Sequence, residues 1–129
     1  MAAAKAWAQW EAALCTLRAD EGLNRHLTEP RVALALARIE CHYFVHDAFL
    51  EPDQLLRGVR RLHGIPAVLV HGRYDVVCPL EAAWRLHRVW PGSELRIVEA
   101  AGHSAAEPGI VQALVEATDA MAYRLRGAS

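Results

Sequence analysis

The sequence predicts an α/β fold in which a helical N-terminal half is followed by two strand–helix units. Three observations indicate this class. Apolar residues recur at three- and four-residue steps through much of residues 1–62, which is the spacing of one helix face. Two short apolar runs, at residues 68–71 and 95–98, are each followed by a loop and then by a helical pattern. Strands that alternate with helices in this way are typical of a parallel sheet.

Three helices are predicted in the N-terminal half. Frequent alanine and regularly spaced tryptophan and leucine predict a helix over about residues 1–20, with a stop at Glu21 and Gly22. A proline near its first turn and an apolar stripe predict a second helix over residues 31–46. A third helix, over about residues 53–62, is weakened by an internal glycine.

The C-terminal half, residues 63–129, reads as strand, helix, strand, helix. The predicted elements are strand 68–71, helix 80–90, strand 95–98 and helix 108–126. Two parallel strands leave unpaired edges, and sheets usually need three or more strands for independent stability. We therefore expect the chain to be the end of a larger sheet, as a fragment or a truncated gene product.

The composition excludes several classes of function. A formal net charge of −1 on 129 residues does not suggest a nucleic-acid-binding protein, which would need a clustered basic face. The apolar runs are far shorter than the roughly 20 residues of a membrane span, and the N-terminus lacks the pattern of a secretory signal. Three cysteines without CxxC spacing indicate free thiols in a reducing compartment. We expect a soluble cytoplasmic protein without a membrane or nucleic-acid partner.

Asp75 and His103 each follow one of the two predicted strands. Because the carboxyl ends of parallel strands meet at one sheet edge, both side chains are expected at the same edge. In serine hydrolases an acid orients a histidine that activates the nucleophile, and in α/β hydrolases the chain order is nucleophile, acid, histidine. The alternative from the residues alone is a turn aspartate and a loop histidine bonded to backbone.

A nucleophile does not accompany this pair. The three serines are Ser93, Ser104 and Ser129, and none lies in a G-x-S-x-G elbow between a strand and a helix. Cys78 is expected to line a pocket rather than to attack a carbonyl. The chain alone is therefore expected to lack hydrolase activity.

Four segments, in order, resemble the proline iminopeptidases, which are prolyl aminopeptidases of the α/β-hydrolase fold. The segments are AKAWAQWE at residues 4–11, ALARIECHYF at 35–44, GRYDVVCP at 72–79 and AGHSAAEPG at 101–109. The resemblance implies that residues 63–129 are the C-terminal part of the hydrolase core, with its last two parallel strands. Residues 1–62 would then be the preceding helices of the cap domain.

The resemblance also implies roles for single residues. Asp75 corresponds to the acid of the catalytic triad and His103 to its histidine. Glu11 and Glu40 correspond to cap glutamates that hold the protonated amino terminus of the substrate, a peptide that begins with proline. Cys78 corresponds to a cysteine near the active site that makes such enzymes sensitive to thiol reagents. Cys41 departs from the family, which usually has asparagine there.

Several alternatives stay open at this level. Glu11 and Glu40 could lie on solvated helix faces, and the chain could belong to an esterase, lactonase or epoxide hydrolase with the same acid and histidine. It could also be a non-catalytic remnant that binds its missing N-terminal half or a second copy of itself. His42 and His46 lie one helical turn apart, but the H-E-x-x-H arrangement is absent, and we expect neither a metal nor a cofactor.

Overall fold

The computed structural model describes residues 1–127 and has the α/β order that the sequence predicts. The elements are α1 (Ala2–Cys15), α2 (Glu21–Leu27), α3 (Pro30–Phe44), α4 (Gln54–Gly58), β1 (Ala67–Gly72), α5 (Leu80–Val89), β2 (Ser93–Val98) and α6 (Pro108–Gly127). Short 3-10 turns follow α3 and α4, at Asp47–Phe49 and Val59–Leu62. Within residues 1–127, no helix combines the length and the apolar character that crossing a membrane requires.

Helix α1 packs against α3 along a stripe of alanines. Ala4, Ala8 and Ala12 recur every four residues on one face of α1 and are buried, as is Ala33 on α3. Residues four apart share a helix face, and their small side chains let the two helices approach closely. Glu11 lies beside this stripe and is therefore buried as well.

The predicted boundaries around residue 20 are wrong. The first helix ends at Cys15, and α2, which the sequence pattern did not reveal, begins at Glu21. The cause is Asp20, whose carboxylate oxygen Oδ1 accepts a hydrogen bond from the backbone N–H of Leu23 at 2.9 Å. Aspartate at this position caps the start of a helix. The residues interpreted as a stop signal are thus the first turn of a new helix.

The third predicted helix is also divided. Its first part is α4, and its second part is the 3-10 turn Val59–Leu62, with Gly58 at the junction. Glycine has a low helix propensity, so a change of helical geometry at this position is expected. Asp53, just before α4, has a φ of 53°.

The two strands pair in parallel, with Ala67 opposite Ser93 and Gly72 opposite Val98. Helix α5 connects them, and both α5 and α6 pack against the two strands. Because the strands are in register, they end at the same edge of the sheet. The loops that follow Gly72 and Val98 therefore leave the sheet side by side.

Candidate active site

Backbone hydrogen bonds join the two loops at the carboxyl edge of the sheet. The N–H of Arg73 donates to the carbonyl of Val98 at 2.9 Å, and the N–H of Tyr74 donates to the carbonyl of Ala101 at 3.0 Å. These bonds continue the strand pairing beyond the strand ends. They align the loop that contains the candidate acid with the loop that contains the candidate histidine.

Gly72 allows the two loops to come this close. A Cβ atom built on Gly72 would lie 2.0 Å from the carbonyl oxygen of Gly102 and 2.6 Å from that of Ala101. Both neighbours are backbone atoms, which cannot move away as the end of a flexible side chain can. The position therefore requires a residue without a side chain.

Asp75 is held rigidly and is almost buried, with a side chain 6% exposed. Its Oδ1 atom accepts hydrogen bonds from the backbone N–H groups of Val77 at 3.0 Å and Cys78 at 2.8 Å. Its Oδ2 atom lies 3.0 Å from Nδ1 of His103 and 3.7 Å from Nε2 of His71. The turn thus fixes one carboxylate oxygen and directs the other toward the imidazole of His103.

The contact with Asp75 determines which nitrogen of His103 carries the proton. A carboxylate only accepts hydrogen bonds, so Nδ1 must be the donor, and in the neutral imidazole Nε2 then has the free lone pair. The side chain of His103 is 36% exposed, so a second molecule can approach the ring. An imidazole in this tautomer, held by a buried carboxylate, is suited to act as a general base.

Two further carboxylates come from the helices. Glu11, on α1, is only 9% exposed, and Glu40, on α3, accepts a hydrogen bond from the indole N–H of Trp7. Burial raises the pKa of Glu11, the nearby charge of Glu40 raises it further, and His103 opposes the shift. The Glu11 carboxylate therefore lies within electrostatic reach of both Glu40 and His103.

Two cysteine thiols border the same acids. Burial raises the pKa of Cys78, and the charges of Asp75 and Glu11 raise it further. Burial likewise raises the pKa of Cys15, and the charges of Glu11 and, to a smaller extent, Asp75 raise it further. The thiolate is the nucleophilic form, so these shifts disfavour Cys78 as a nucleophile near neutral pH.

The described serines do not complete a triad. Ser93 Oγ lies 2.8 Å from Nδ1 of His87, at the start of β2 rather than at its end. Val98, at the opposite end of this six-residue strand, is roughly 17 Å away. The Ser104 hydroxyl accepts a hydrogen bond from Ala106 N–H within its own turn. Ser129 lies outside the described residues.

The two histidines weighed as metal ligands belong to an aromatic cluster on α3 and the turn that follows it. The His46 ring stacks on that of Phe49 with 5.0 Å between the ring centroids, and the centroid of the His42 ring lies 4.7 Å from that of His46. Among the described residues, no group of three or more His, Cys, Asp or Glu side chains is arranged to hold a metal ion.

Sequence reasoning missed Glu107 and the contact of Trp7 with Glu40. Glu107 Oε1 accepts hydrogen bonds from the N–H groups of Gly102 at 2.7 Å and Leu17 at 3.2 Å. The available signal was its place in the segment AGHSAAEPG, four residues after His103. Trp7 was interpreted as a packing residue, and nothing in the sequence pairs it with a carboxylate 33 positions away.

No family model matches the chain. The comparison with curated proteins is therefore the one that relates the chain to a family. A proline iminopeptidase of Xanthomonas citri is 55% identical over 123 residues, which cover 95% of this chain and 39% of the relative. The chain is homologous to part of the proline iminopeptidases. The enzyme of that name from Arabidopsis thaliana is 46% identical over 93% of the chain and 32% of its own length. That of Neisseria gonorrhoeae is 40% identical over 97% of the chain and 39% of its own length.

These relatives confirm the resemblance drawn from four short segments. The proline iminopeptidases match nearly the whole chain, and the match corresponds to a C-terminal part of them. The chain spans less than two fifths of the length of the Xanthomonas citri and Xylella fastidiosa relatives.

Proposed function

We propose that this chain contributes the acid, the histidine and the amine-binding carboxylates of a proline iminopeptidase-like serine hydrolase. Residues 63–129 then form the end of an α/β-hydrolase core, and residues 1–62 form part of its cap. The observation that supports this most directly is the 3.0 Å contact between His103 Nδ1 and Asp75 Oδ2. Glu11 lies close enough to that imidazole for its charge to oppose the rise in the pKa of Glu11.

The proposed reaction is hydrolysis of the peptide bond that follows an N-terminal proline. Asp75 keeps the proton of His103 on Nδ1 and stabilises the imidazolium when it forms. Nε2 takes the proton of a serine hydroxyl as the oxygen attacks the carbonyl carbon, and then returns the proton to the leaving amine. Water repeats the same steps to release proline. The serine, on an elbow of the G-x-S-x-G type, comes from outside these 129 residues.

Recognition of the substrate is assigned to Glu11 and Glu40. The protonated amino group of an N-terminal proline carries a positive charge and two N–H bonds, so each carboxylate can accept one charge-assisted hydrogen bond. The indole of Trp7 orients Glu40. The bound cation also offsets the repulsion between the two acids, which contributes to the raised pKa of Glu11.

The same pair of acids argues against an ester or an epoxide as substrate. A neutral substrate gains nothing from two adjacent carboxylates, one of them 9% exposed, and leaves their repulsion uncompensated. An esterase, lactonase or epoxide hydrolase uses the same acid and histidine but has no need of Glu11 and Glu40.

The test is a chimera in which this chain replaces the matching part of the Xanthomonas citri enzyme. We expect the chimera to release 7-amino-4-methylcoumarin from its prolyl amide, and the chain alone to release none. His103→Ala should lower kcat by a factor of about 10⁶, because general-base catalysis is lost. Glu40→Gln should raise KM for the prolyl amide and leave hydrolysis of an uncharged acyl ester nearly unchanged.

Glu116→Ala is the matched control, since Glu116 lies on α6 and bonds to Gln112 rather than to the site. An inactive chimera that is correctly folded contradicts the proposal. A chimera that cleaves acyl esters but not prolyl amides supports the esterase alternative instead.

A further inference from the structure

Glu107 connects the start of α6 to two segments of the chain that the proposed mechanism uses. It precedes α6, and its Oε1 atom accepts one hydrogen bond from Gly102 N–H at 2.7 Å and another from Leu17 N–H at 3.2 Å. Gly102 is the residue directly before His103, and Leu17 follows the C-terminal end of α1. One carboxylate oxygen therefore ties the histidine loop to the end of the helix that contains Glu11.

A second bond reinforces this connection. The N–H of Ser104, directly after His103, donates to the carbonyl of Cys15 at 2.7 Å. His103 is thus held on both sides, through Glu107 before it and through Cys15 after it. Both anchors lie at the C-terminal end of α1, so the imidazole has a defined position relative to that helix.

The packing around Gly102 leaves little freedom for this arrangement. A Cβ built on Gly102 would lie 3.1 Å from Glu107 Oε1 and 3.1 Å from Leu17 N. The buried N–H of Gly102 has the carboxylate as its partner, and a buried donor without a partner is costly. Loss of the carboxylate therefore favours a different path for the residue that precedes His103.

We propose that Glu107 is a positioning residue. It holds the His103 imidazole against Asp75 and at a fixed position relative to the helix that contains Glu11. It does not touch the substrate, and its effect passes through the backbone of Gly102. The consequence for catalysis rests on the proposed function, whereas the effect on the imidazole does not. A glutamine at position 107 can accept the same two N–H bonds, and an alanine cannot.

The first test follows the imidazole in this chain. Proton NMR with ¹⁵N-labelled histidine detects the Nδ1 proton of His103 when it is bonded to Asp75 and protected from water. We expect the resonance in the parent chain, in Glu107→Gln and in Glu116→Ala, and its loss through exchange in Glu107→Ala. A resonance that persists in Glu107→Ala overturns the proposal.

The second test uses the chimera with the Xanthomonas citri enzyme. Glu107→Ala should lower kcat roughly 10- to 100-fold, because a small displacement of a catalytic group has effects of this size. KM for the prolyl amide should change much less, and Glu107→Gln should restore most of kcat. Equal kcat values for Glu107→Ala and Glu116→Ala overturn the proposal.

The two failures can be distinguished. A folded parent chimera without prolyl amidase activity contradicts the proposed function, and the NMR comparison then decides the role of Glu107 alone. If the parent chimera is active and its Glu107→Ala variant has the same kcat, the inference is contradicted and the proposed function stands.

Discussion

At the scale of single residues, Glu11 is the clearest conflict between stability and the proposed binding function. It is buried beside the alanine stripe of α1, and both burial and the charge of Glu40 raise its pKa above the usual value of 4.5. A raised pKa means that the folded chain binds the proton more tightly than the unfolded chain. The ionised form of Glu11 therefore destabilises the fold.

This conflict predicts a pH-dependent effect of Glu11→Gln. The wild-type free energy of unfolding should fall as the pH rises from the unfolded pKa to the raised folded pKa, and remain lower above it. Glutamine does not titrate, so the variant should be more stable than the wild type at about pH 7 and nearly equal to it at about pH 3.5. Urea unfolding at the two pH values measures this.

The control for Glu11→Gln is Glu21→Gln, at an exposed carboxylate in the first turn of α2. Equal stability of Glu11→Gln and wild type at neutral pH would contradict the assignment of Glu11 as a destabilising buried acid. In the chimera, the same substitution should raise KM for the prolyl amide, since one acceptor for the substrate amine loses its charge.

At the scale of secondary-structure elements, the parallel pair of strands determines where the candidate acid and histidine lie. β1 and β2 end in register, and the hydrogen bonds of Arg73 and Tyr74 extend the pairing into the loops. The close approach at Gly72 is what brings the loop of Asp75 beside that of His103.

Gly72→Ala should therefore disrupt the site as well as the fold. Its Cβ would lie 2.0 Å from a backbone oxygen, so the two loops must separate. We expect a loss of about 1–3 kcal/mol in the free energy of unfolding, as is typical of overpacking, measured by urea titration. In the chimera, kcat for the prolyl amide should fall because the contact between Asp75 and His103 lengthens.

Gly58→Ala is the matched substitution, since no atom lies within 4 Å of a Cβ at that position in α4. Alanine is the better helix former, so this variant should be as stable as the wild type or more stable by up to about 1 kcal/mol. Equal effects of the two substitutions would show that the clash at Gly72 is relieved without separating the loops.

At the scale of the whole molecule, the core is too small for the surface that the chain exposes. The chain has 9292 Å² of accessible surface, whereas a compact monomer of its mass has about 6,800 Å². Among residues 1–127, the buried hydrophobic side chains are those of six alanines, Val59 and Ile110. Large side chains are exposed at the end of α3, as Phe44 is, and in the 3-10 turn that follows it, as Phe49 is. Within the described part of the chain, the two-stranded sheet also has an unpaired edge on each strand.

These features predict that the chain on its own binds apolar dyes. The difference of roughly 2,500 Å² exceeds the about 1,600 Å² that a typical stable protein interface buries in total. We expect strong fluorescence of anilinonaphthalene sulfonate with the isolated chain and much weaker fluorescence with the chimera, because the added part covers the apolar surface. A monomer that binds no dye would contradict this expectation.

The sequence by itself determined the order of strands and helices in the C-terminal half and the loops in which the candidate acid and histidine lie. Both depend on local patterns: the period of apolar residues, the branched runs of the strands, and the residues at strand ends. The resemblance to proline iminopeptidases, carried by four short segments, was also visible at this level and is confirmed by relatives at 40–55% identity. Asp20 was missed because a capping aspartate and a turn aspartate have the same local sequence signature.

Only the tertiary structure decided how these parts meet. Trp7 on α1 reaches Glu40 on α3 because buried alanines let the two helices pack closely, and Glu107 joins the histidine loop to Leu17 across 90 positions of sequence. The 3.0 Å contact of Asp75 with His103 depends on the absence of a side chain at Gly72. Each of these contacts joins residues far apart in the chain, and local sequence patterns contain no information about which distant surfaces pack together.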